Sequence, residues 1–572
     1  MRRLTIVLVL ITAACAPGDG SVSPSTAGSS DGTTGSSATT TVDVLRPCQE
    51  PVLAEPQTGT VDNPTVERVA SSNLESASAA VSQAAFRCAS DVVLVAADDL
   101  ERVAIAARLA TGLRAPLLLG DAGGSSLLAY EIDRLAPEVV WFVGEDVTAA
   151  VPEFSETEVL RGDNISLADQ VNDRVGARSS VSLPGGGGLD ALRTALAALE
   201  TGAGISSTSP AGAAPSPIDP VPHIRSGAGT GAVAWLVDGA HPELALVAAA
   251  SAITSEGLMV LVDGGDLRLA TQAATALDDM AGGGPRLVQL LASNPDATWQ
   301  LPVLLNGEEL PGGGFILFPG HRLIAIYGNP TTTSLGVLGE QDVNASVTRA
   351  RQIAAPYAAN DGVAVVPTFE IIVSVAAGNP GDDGNYSNEM PLDLLRPWVE
   401  TAGREGVYVL LDLQPGRTDF LTQAKLYEEL LLEPHVGLAL DPEWRLLPDQ
   451  IPLQQIGHVE AAEVNAVVDW LAALVRDNHL PQKMLLLHQF EDQMLRDRSM
   501  IATPSELAVV IQMDGQGTIP DKYSTWTRIT TGWEDFGWRY GWKNFYDEDI
   551  PGPIGAAEVL DLVPTVVYVS YQ

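Results

Sequence analysis

Val436-Gly437-Leu438-Ala439-Leu440-Asp441-Pro442-Glu443 is an apolar run that ends on two acids, and it is one of eight similar runs in the last half of the chain. The others cover 322–327, 367–375, 406–414, 483–489, 507–514, 537–546 and 565–571. All but 367–375 finish on a polar, acidic or aromatic residue, and seven of the eight are followed by loop or helix-like sequence. A strand-then-helix unit repeated eight times over about 250 residues predicts a (β/α)8 barrel, in which chemistry sits where the strands end. The fold class expected is therefore α/β, with the barrel preceded by two repeated parallel α/β units.

Those units come from an internal repeat. Val92-Val93-Leu94-Val95, a helical pattern over 100–110, and Pro116-Leu117-Leu118-Leu119 recur at a constant offset of 142 residues. The second copy reads Ala234-Trp235-Leu236-Val237, a helical pattern over 243–252, then Leu258-Met259-Val260-Leu261-Val262. Both continue through a second helical pattern to a third apolar run, at 139–143 and 287–291. Strand, helix, strand, helix, strand at this spacing describes a parallel sheet covered by helices. The order Val92 to Ala96, an Ala-rich helix, Ala115-Pro116-Leu117-Leu118-Leu119 and Val139-Val140-Trp141-Phe142-Val143-Gly144 resembles the type 2 cell wall-binding repeats of Gram-positive surface proteins. In that family the helix opens Asp-Ala-Leu, where this chain has Asp99-Leu100-Glu101. The resemblance covers about residues 60–295 and implies binding of an anionic wall polymer, a role at odds with an acidic chain.

The chain opens Met1-Arg2-Arg3, is apolar over 4–11 and continues Thr12-Ala13-Ala14-Cys15. A charged start, a short apolar stretch and small residues describe a secretory signal, too short to span a bilayer. Cys15 after two alanines resembles the lipobox of bacterial lipoproteins, which implies lipidation at Cys15 and anchoring to the outer leaflet of the cell membrane. The alternative is an ordinary cleaved signal and a free secreted protein. The residues from 16 to about 43 are almost all Ser, Thr, Gly, Ala, Asp and Pro, a composition that cannot bury enough apolar surface to fold. A second low-complexity stretch, about 185–231, is expected to include a mobile surface loop. The organisation expected is a signal over 1–14, a tether over 15–43, the α/β region over 44–317 and the barrel over 318–572. Cys48 and Cys88 are left as an even pair in an exported chain, which favours a disulfide.

The formal charge of −40, from 72 acidic against 32 basic residues, repels nucleic acid and anionic lipid, so neither is expected as a partner. No apolar strand run leads into a Gly-x-Ser-x-Gly elbow or a phosphate loop, and the His residues are single, so no cofactor and no metal are expected. At the strand ends, acids and aromatics converge from distant segments. Glycoside hydrolysis needs one carboxyl kept protonated, a second ionised, and aromatic faces on which sugar rings stack. Asp441 and Glu443, two residues apart on one strand face, are the first candidates as catalytic acids, and Asp412 and Glu491 the next. Tyr327, Gln414, His488, Gln489, Asp514, Trp538, Trp542 and Tyr546 are the candidate substrate-binding residues. Each also has a structural reading. Asp441-Pro442 commonly starts a turn, Asp412 could pair with Arg417, Glu370 reads as a barrel-interior acid paired with a neighbour, and the Trp-rich segment could be core.

The function expected is binding, with hydrolysis as a further step, of a cell-envelope glycan by a lipid-anchored surface protein. A non-catalytic wall-binding or scaffold lipoprotein and a solute-binding lipoprotein are the alternatives. In general layout the C-terminal half resembles the glycoside-hydrolase-like barrels of bacterial surface lipoproteins, through Leu440-Asp441-Pro442-Glu443 and Gln512-Met513-Asp514. One chitinase-like family carries a longer acidic series on the fourth strand, where this chain has Ala439.

Overall fold

The computed structural model describes residues 48, 50–54, 64–69, 73–120, 126–144, 157–184, 189–206, 223–225, 232–262, 265–280, 285–359, 361–533 and 536–572. Cys15, the signal and the tether lie outside the described residues. The described residues fall into two compact units. One runs to Gly265 and resumes over Gln272–Thr298; the other comprises Asp266–Thr271 and Trp299–Gln572.

The first unit holds two sheets built on the repeat, parallel except for the edge strand His223–Arg225, which runs antiparallel to Leu258–Val262. In one, the strand Asp91–Ala96 lies between Leu117–Gly120 and Val139–Val143, and Thr157–Leu160 follows at the edge. In the other, Val233–Asp238 lies between Leu258–Val262 and Leu287–Leu291. The place equivalent to Thr157–Leu160 is taken there by Thr65–Arg68, which pairs parallel to Leu287–Leu291 from the opposite end of the sequence. The two repeats are thus interlocked and not strung in series. Their central helices, Leu100–Leu113 and Pro242–Ser255, pack on each other, so the Ala-rich sequence that reads as a weak amphipath is buried on most sides. Cys48 and Cys88 form a disulfide. The stretch expected to carry a loop at 185–231 contains the helix Leu189–Thr201 and the strand Gly204–Ser206, paired parallel to Ser180–Ser182. Leu192, Ala195, Leu196 and Leu199 are buried there, so the i, i+3, i+4, i+7 spacing outweighs the flanking glycines.

The second unit is the barrel. Its eight strands are His321–Gly328, Ala364–Ala376, Tyr408–Leu413, Val436–Leu440, Lys483–Gln489, Leu507–Met513, Arg539–Asn544 and Val566–Tyr571. All neighbours pair parallel, and the first strand closes the ring by pairing with both the second and the eighth. The eight runs read from the sequence are these strands. Both of their faces are covered, so they read as nearly continuous apolar runs without alternation.

Side chains pointing inward change character along the barrel axis. At the N-terminal end Leu323, Val366, Tyr408, Leu410, Met484, Ala508 and Tyr568 form one apolar cluster with Leu310, Leu317 and Phe318. The chain just before the first strand therefore plugs the barrel bottom. Gly437 is required here, because a Cβ would stand 2.7 Å from Met484 O and 2.8 Å from the Tyr408 hydroxyl. Toward the C-terminal end the inward positions become Glu370, Asp412, Asp441, His488, Asp514 and Lys543.

Candidate functional site

The fourth strand stops at Leu440, one residue before Asp441. Pro442 then opens a 3-10 turn, Pro442–Trp444, because proline supplies no ladder donor and presets the turn. Asp441 keeps the inward direction of the strand, while Glu443 stands on the turn and not on the strand face expected for it. The turn is held from outside: Gly457 N donates to Glu443 O at 2.7 Å, and Arg445 Nε donates to Glu463 Oε1 at 2.8 Å. A Cβ on Gly457 would lie 2.4 Å from Arg445 O and 2.5 Å from Glu443 O, so only glycine lets the two segments approach.

Beneath this turn lies a charged network drawn from six strands. His488 Nδ1 is 2.9 Å from Asp514 Oδ2, and its Nε2 is 3.0 Å from Glu370 Oε1 and 3.7 Å from Asp412 Oδ1. Lys543 Nζ pairs with Asp514 Oδ1 at 3.1 Å and lies 3.7 Å from the centre of the Tyr327 ring. Tyr327 donates to Asp412 Oδ2 at 3.1 Å, and Tyr568 to Glu370 Oε2 at 2.8 Å. With Asp441 and Glu443 above them, five acids share this end of the barrel with two cations.

The electrostatics follow from that imbalance. Burial would push the His488 pKa down, but Asp514, Glu370 and Asp412 overcome it and hold the imidazolium well above the ordinary value. Asp514 is depressed despite burial, because Lys543 and His488 both face it. The carboxyls without a cation of their own move the other way. Burial, with Glu370 opposing ionisation, raises Asp412 to about 6 although His488 pulls it down. Burial and then Asp514 raise Glu443 to about 7. Asp441 is raised well above the ordinary range, by burial first and Glu443 second. It is 2% exposed, and its Oδ1 has no hydrogen-bond partner.

Above the network opens a cleft of about 460 Å³. Asp441, Glu443, Asp514 and Glu491 line it, as do Tyr327, Gln414 and Lys543, with Trp444, Phe490 and Phe545 as aromatic walls. Of the residues singled out from sequence, Asp441, Glu443, Glu491, Tyr327, Gln414 and Asp514 are brought together at this cleft. Glu491 stands exposed on its rim. Asp412 and His488 lie one layer deeper, fully buried, and Asp412 is engaged by Tyr327 and His488 and not by Arg417.

Four of the binding candidates face elsewhere. Gln489 points outward from the fifth strand, where its Oε1 accepts from Arg498. Trp542, fully buried, packs against Trp526 and Tyr523 with ring centres 5.9 Å away, between barrel and helix. Trp538 stacks with Trp533 and Phe536 over the Arg498 guanidinium. Tyr546 is 41% exposed and leans on Tyr571. For Trp538, Trp542 and Tyr546 the cause is the phase of the seventh strand, and Gln489 neighbours the inward His488 on the fifth. A Cβ at Gly541 would already be 3.2 Å from Tyr568, so only the Gly541 and Lys543 face fits inside the barrel, and the tryptophans go outward. Lys543, Phe545 and Trp444 are the site residues that sequence reading missed. A lone lysine inside an aromatic run, next to a glycine two residues earlier, was the available signal.

No family model matches the chain, and no curated protein matches it. Among solved structures, Cwp8 from Clostridium difficile is similar over 42% of this chain and 52% of its own, at 17% identity and a TM-score of 0.32. Cwp6 from Clostridium difficile is similar over 63% of this chain and 66% of its own, at 11% identity and a TM-score of 0.33. The chain thus spans about half the length of the first and just under two thirds of the second. Superpositions this loose carry no functional argument.

Proposed function

We propose that the barrel mouth binds, and hydrolyses, a glycan of the cell envelope, with Glu443 as the general acid and Asp441 as the second carboxyl. The observation that carries this reading is a pair of neighbouring carboxyls on one turn, both biased toward the protonated form, facing a cleft walled by aromatic side chains. A group poised near neutral pH suits proton transfer to a leaving sugar oxygen, and Glu443 meets that condition. Asp441 in its ionised form would then activate water or attack the anomeric carbon. His488 and Glu370 support the cleft from beneath, while Asp514 and Lys543 of the same network reach its lining. Trp444, Phe490 and Phe545 offer flat faces for sugar rings.

The lipid anchor at Cys15, the tether and wall binding by the α/β region belong to the same proposal, and they rest on the sequence alone. Together they would hold the barrel at the cell surface. The test is a panel of purified envelope polysaccharides, with reducing ends and binding measured for the full chain and for Asp441→Asn and Glu443→Gln. Loss of product with retained binding supports the assignment; unchanged turnover in both variants ends it. A non-catalytic binding barrel is the second reading. It is favoured by Asp412 and Asp514, acids already engaged by Tyr327, His488 and Lys543, and it predicts binding without product in the wild type.

A further inference from the structure

The cleft has an excess of acid that its own cations leave uncompensated. Asp441, Glu443, Glu491, Asp514 and Glu548 line it, against Lys543 and Arg528. Both cations are already engaged. Lys543 pairs with Asp514 at 3.1 Å, and Arg528 pairs with Asp492 at 3.0 Å and donates to Phe490 O at 2.7 Å. Asp441 is the sharpest case: its side chain is nearly fully buried, it borders the cleft, and its Oδ1 receives no hydrogen bond. A buried carboxyl with an empty acceptor costs free energy unless something fills the position. Among the described residues no group of three side chains is arranged to hold a metal ion. A donor brought by a ligand would fill the position.

We infer that the sugar taken into this cleft carries a primary ammonium, as in a 2-amino sugar without its N-acetyl group, and that Asp441 and Glu443 receive it. The inference rests on the carbohydrate reading above and names the substrate class of the same site. An ammonium has three donors, enough to fill Asp441 Oδ1 and still reach the neighbouring carboxyl. Its charge is the opposite of the cleft's surplus, and the aromatic walls around Trp444 and Phe545 also favour a cation. An anionic sugar would meet repulsion from the same residues. The cation has a chemical consequence as well. In the empty cleft Asp441 keeps its proton, and an ammonium placed beside it favours the carboxylate. The substrate itself would convert Asp441 into the carboxylate that serves as base or nucleophile. The proton lost by Asp441 passes to solvent.

The experiment is calorimetric titration of the full chain, at mildly acidic pH, with a glucosamine hexamer, an N-acetylglucosamine hexamer and a galacturonate oligomer, each in two buffers of different ionisation enthalpy. The expected result is at least about tenfold tighter binding of the glucosamine hexamer, with release of a proton read from the buffer dependence. Asp441→Asn should abolish that release and most of the preference. If Asp441→Asn does not fold, as judged by circular dichroism, Glu443→Gln carries the test of preference. Equal or tighter binding of the N-acetylated hexamer or of the galacturonate oligomer would overturn the charge inference and leave the carbohydrate reading standing. Binding of none of the three would sink both.

Discussion

His488 Nδ1 stands 2.9 Å from Asp514 Oδ2, a contact between neighbouring strands that anchors the charged layer of the barrel. The same imidazolium reaches Glu370 on the second strand, so one fully buried side chain neutralises acids from two sides of the ring. Removing it takes away the cation nearest Glu370 and Asp412 and leaves Asp514 with Lys543 alone. His488→Asn is expected to destabilise the barrel by on the order of 3–5 kcal/mol near neutral pH, measured by urea unfolding. The raised pKa makes this contribution complete below the ordinary imidazole range and lost as pH rises through the folded value. A gap that stays constant into the alkaline range would refute the assignment.

Glu443 shows the same pH trend from a different cause. Its folded value of about 7 lies above the ordinary 4.5, so the native state binds this proton more tightly than the unfolded chain. Stability then falls as pH rises across that window. Glu443→Gln removes the slope and should gain on the wild type between acid and mildly alkaline pH, by on the order of 1–2 kcal/mol after solvent relaxation. Parallel stability curves for the two proteins would show that the carboxyl is not held protonated.

Lys522 and Asp549 form a buried pair at 2.6 Å, and Lys522 Nζ also donates to Lys543 O at 2.8 Å. Asp549→Asn leaves Lys522 with one strong acceptor fewer in an apolar surround. The expected cost is on the order of 3–5 kcal/mol, and a double-mutant cycle with Lys522→Met should recover much of it. Strict additivity in that cycle would mean the pair is not coupled.

Leu317 is 1% exposed and belongs to the plug under the barrel. Leu317→Ala should cost about 2–5 kcal/mol, depending on how far the cavity collapses. A barrel fragment beginning at residue 318 removes Leu310 and Leu317 together and should unfold at lower urea than one beginning at 299. Equal midpoints would show that the segment contributes nothing to the barrel.

Trp542 separates core from site. Trp542→Leu is expected to lower stability by about 3 kcal/mol or more, through lost contacts with Trp526 and Tyr523, and to leave glycan affinity unchanged. Trp444→Ala should do the reverse, since Trp444 borders the cleft on a partly exposed turn. A loss of affinity in Trp542→Leu at full stability would return that residue to the mouth.

The barrel was legible because parallel strands covered on both faces must be apolar almost throughout, and because each had to end in polar sequence. Val436 to Glu443 carries both signs, and so do six of the other seven. The same continuity hides the phase of a strand. Without alternation, nothing local says whether Trp542 or Lys543 turns inward, and the aromatic residue is the more conspicuous of the two. Packing against Tyr568 settles it: the interior has room at Gly541 and none for a tryptophan, so a lysine enters the charged layer.

Sequence by itself determined the eight strands, the 142-residue repeat and the position of Asp441 and Glu443 at a strand end, since these follow from local pattern and turn chemistry. Only the tertiary structure decided that Thr65–Arg68 completes a sheet begun far along the chain, and that Asp412 is spent on Tyr327 and His488 while Asp441 Oδ1 is left without a hydrogen bond. The physical reason is the same in each case. Strand pairing and charge compensation are interactions between residues distant in the chain, and their free energy depends on which side chains the closed barrel and the interlocked sheets bring within a few ångströms.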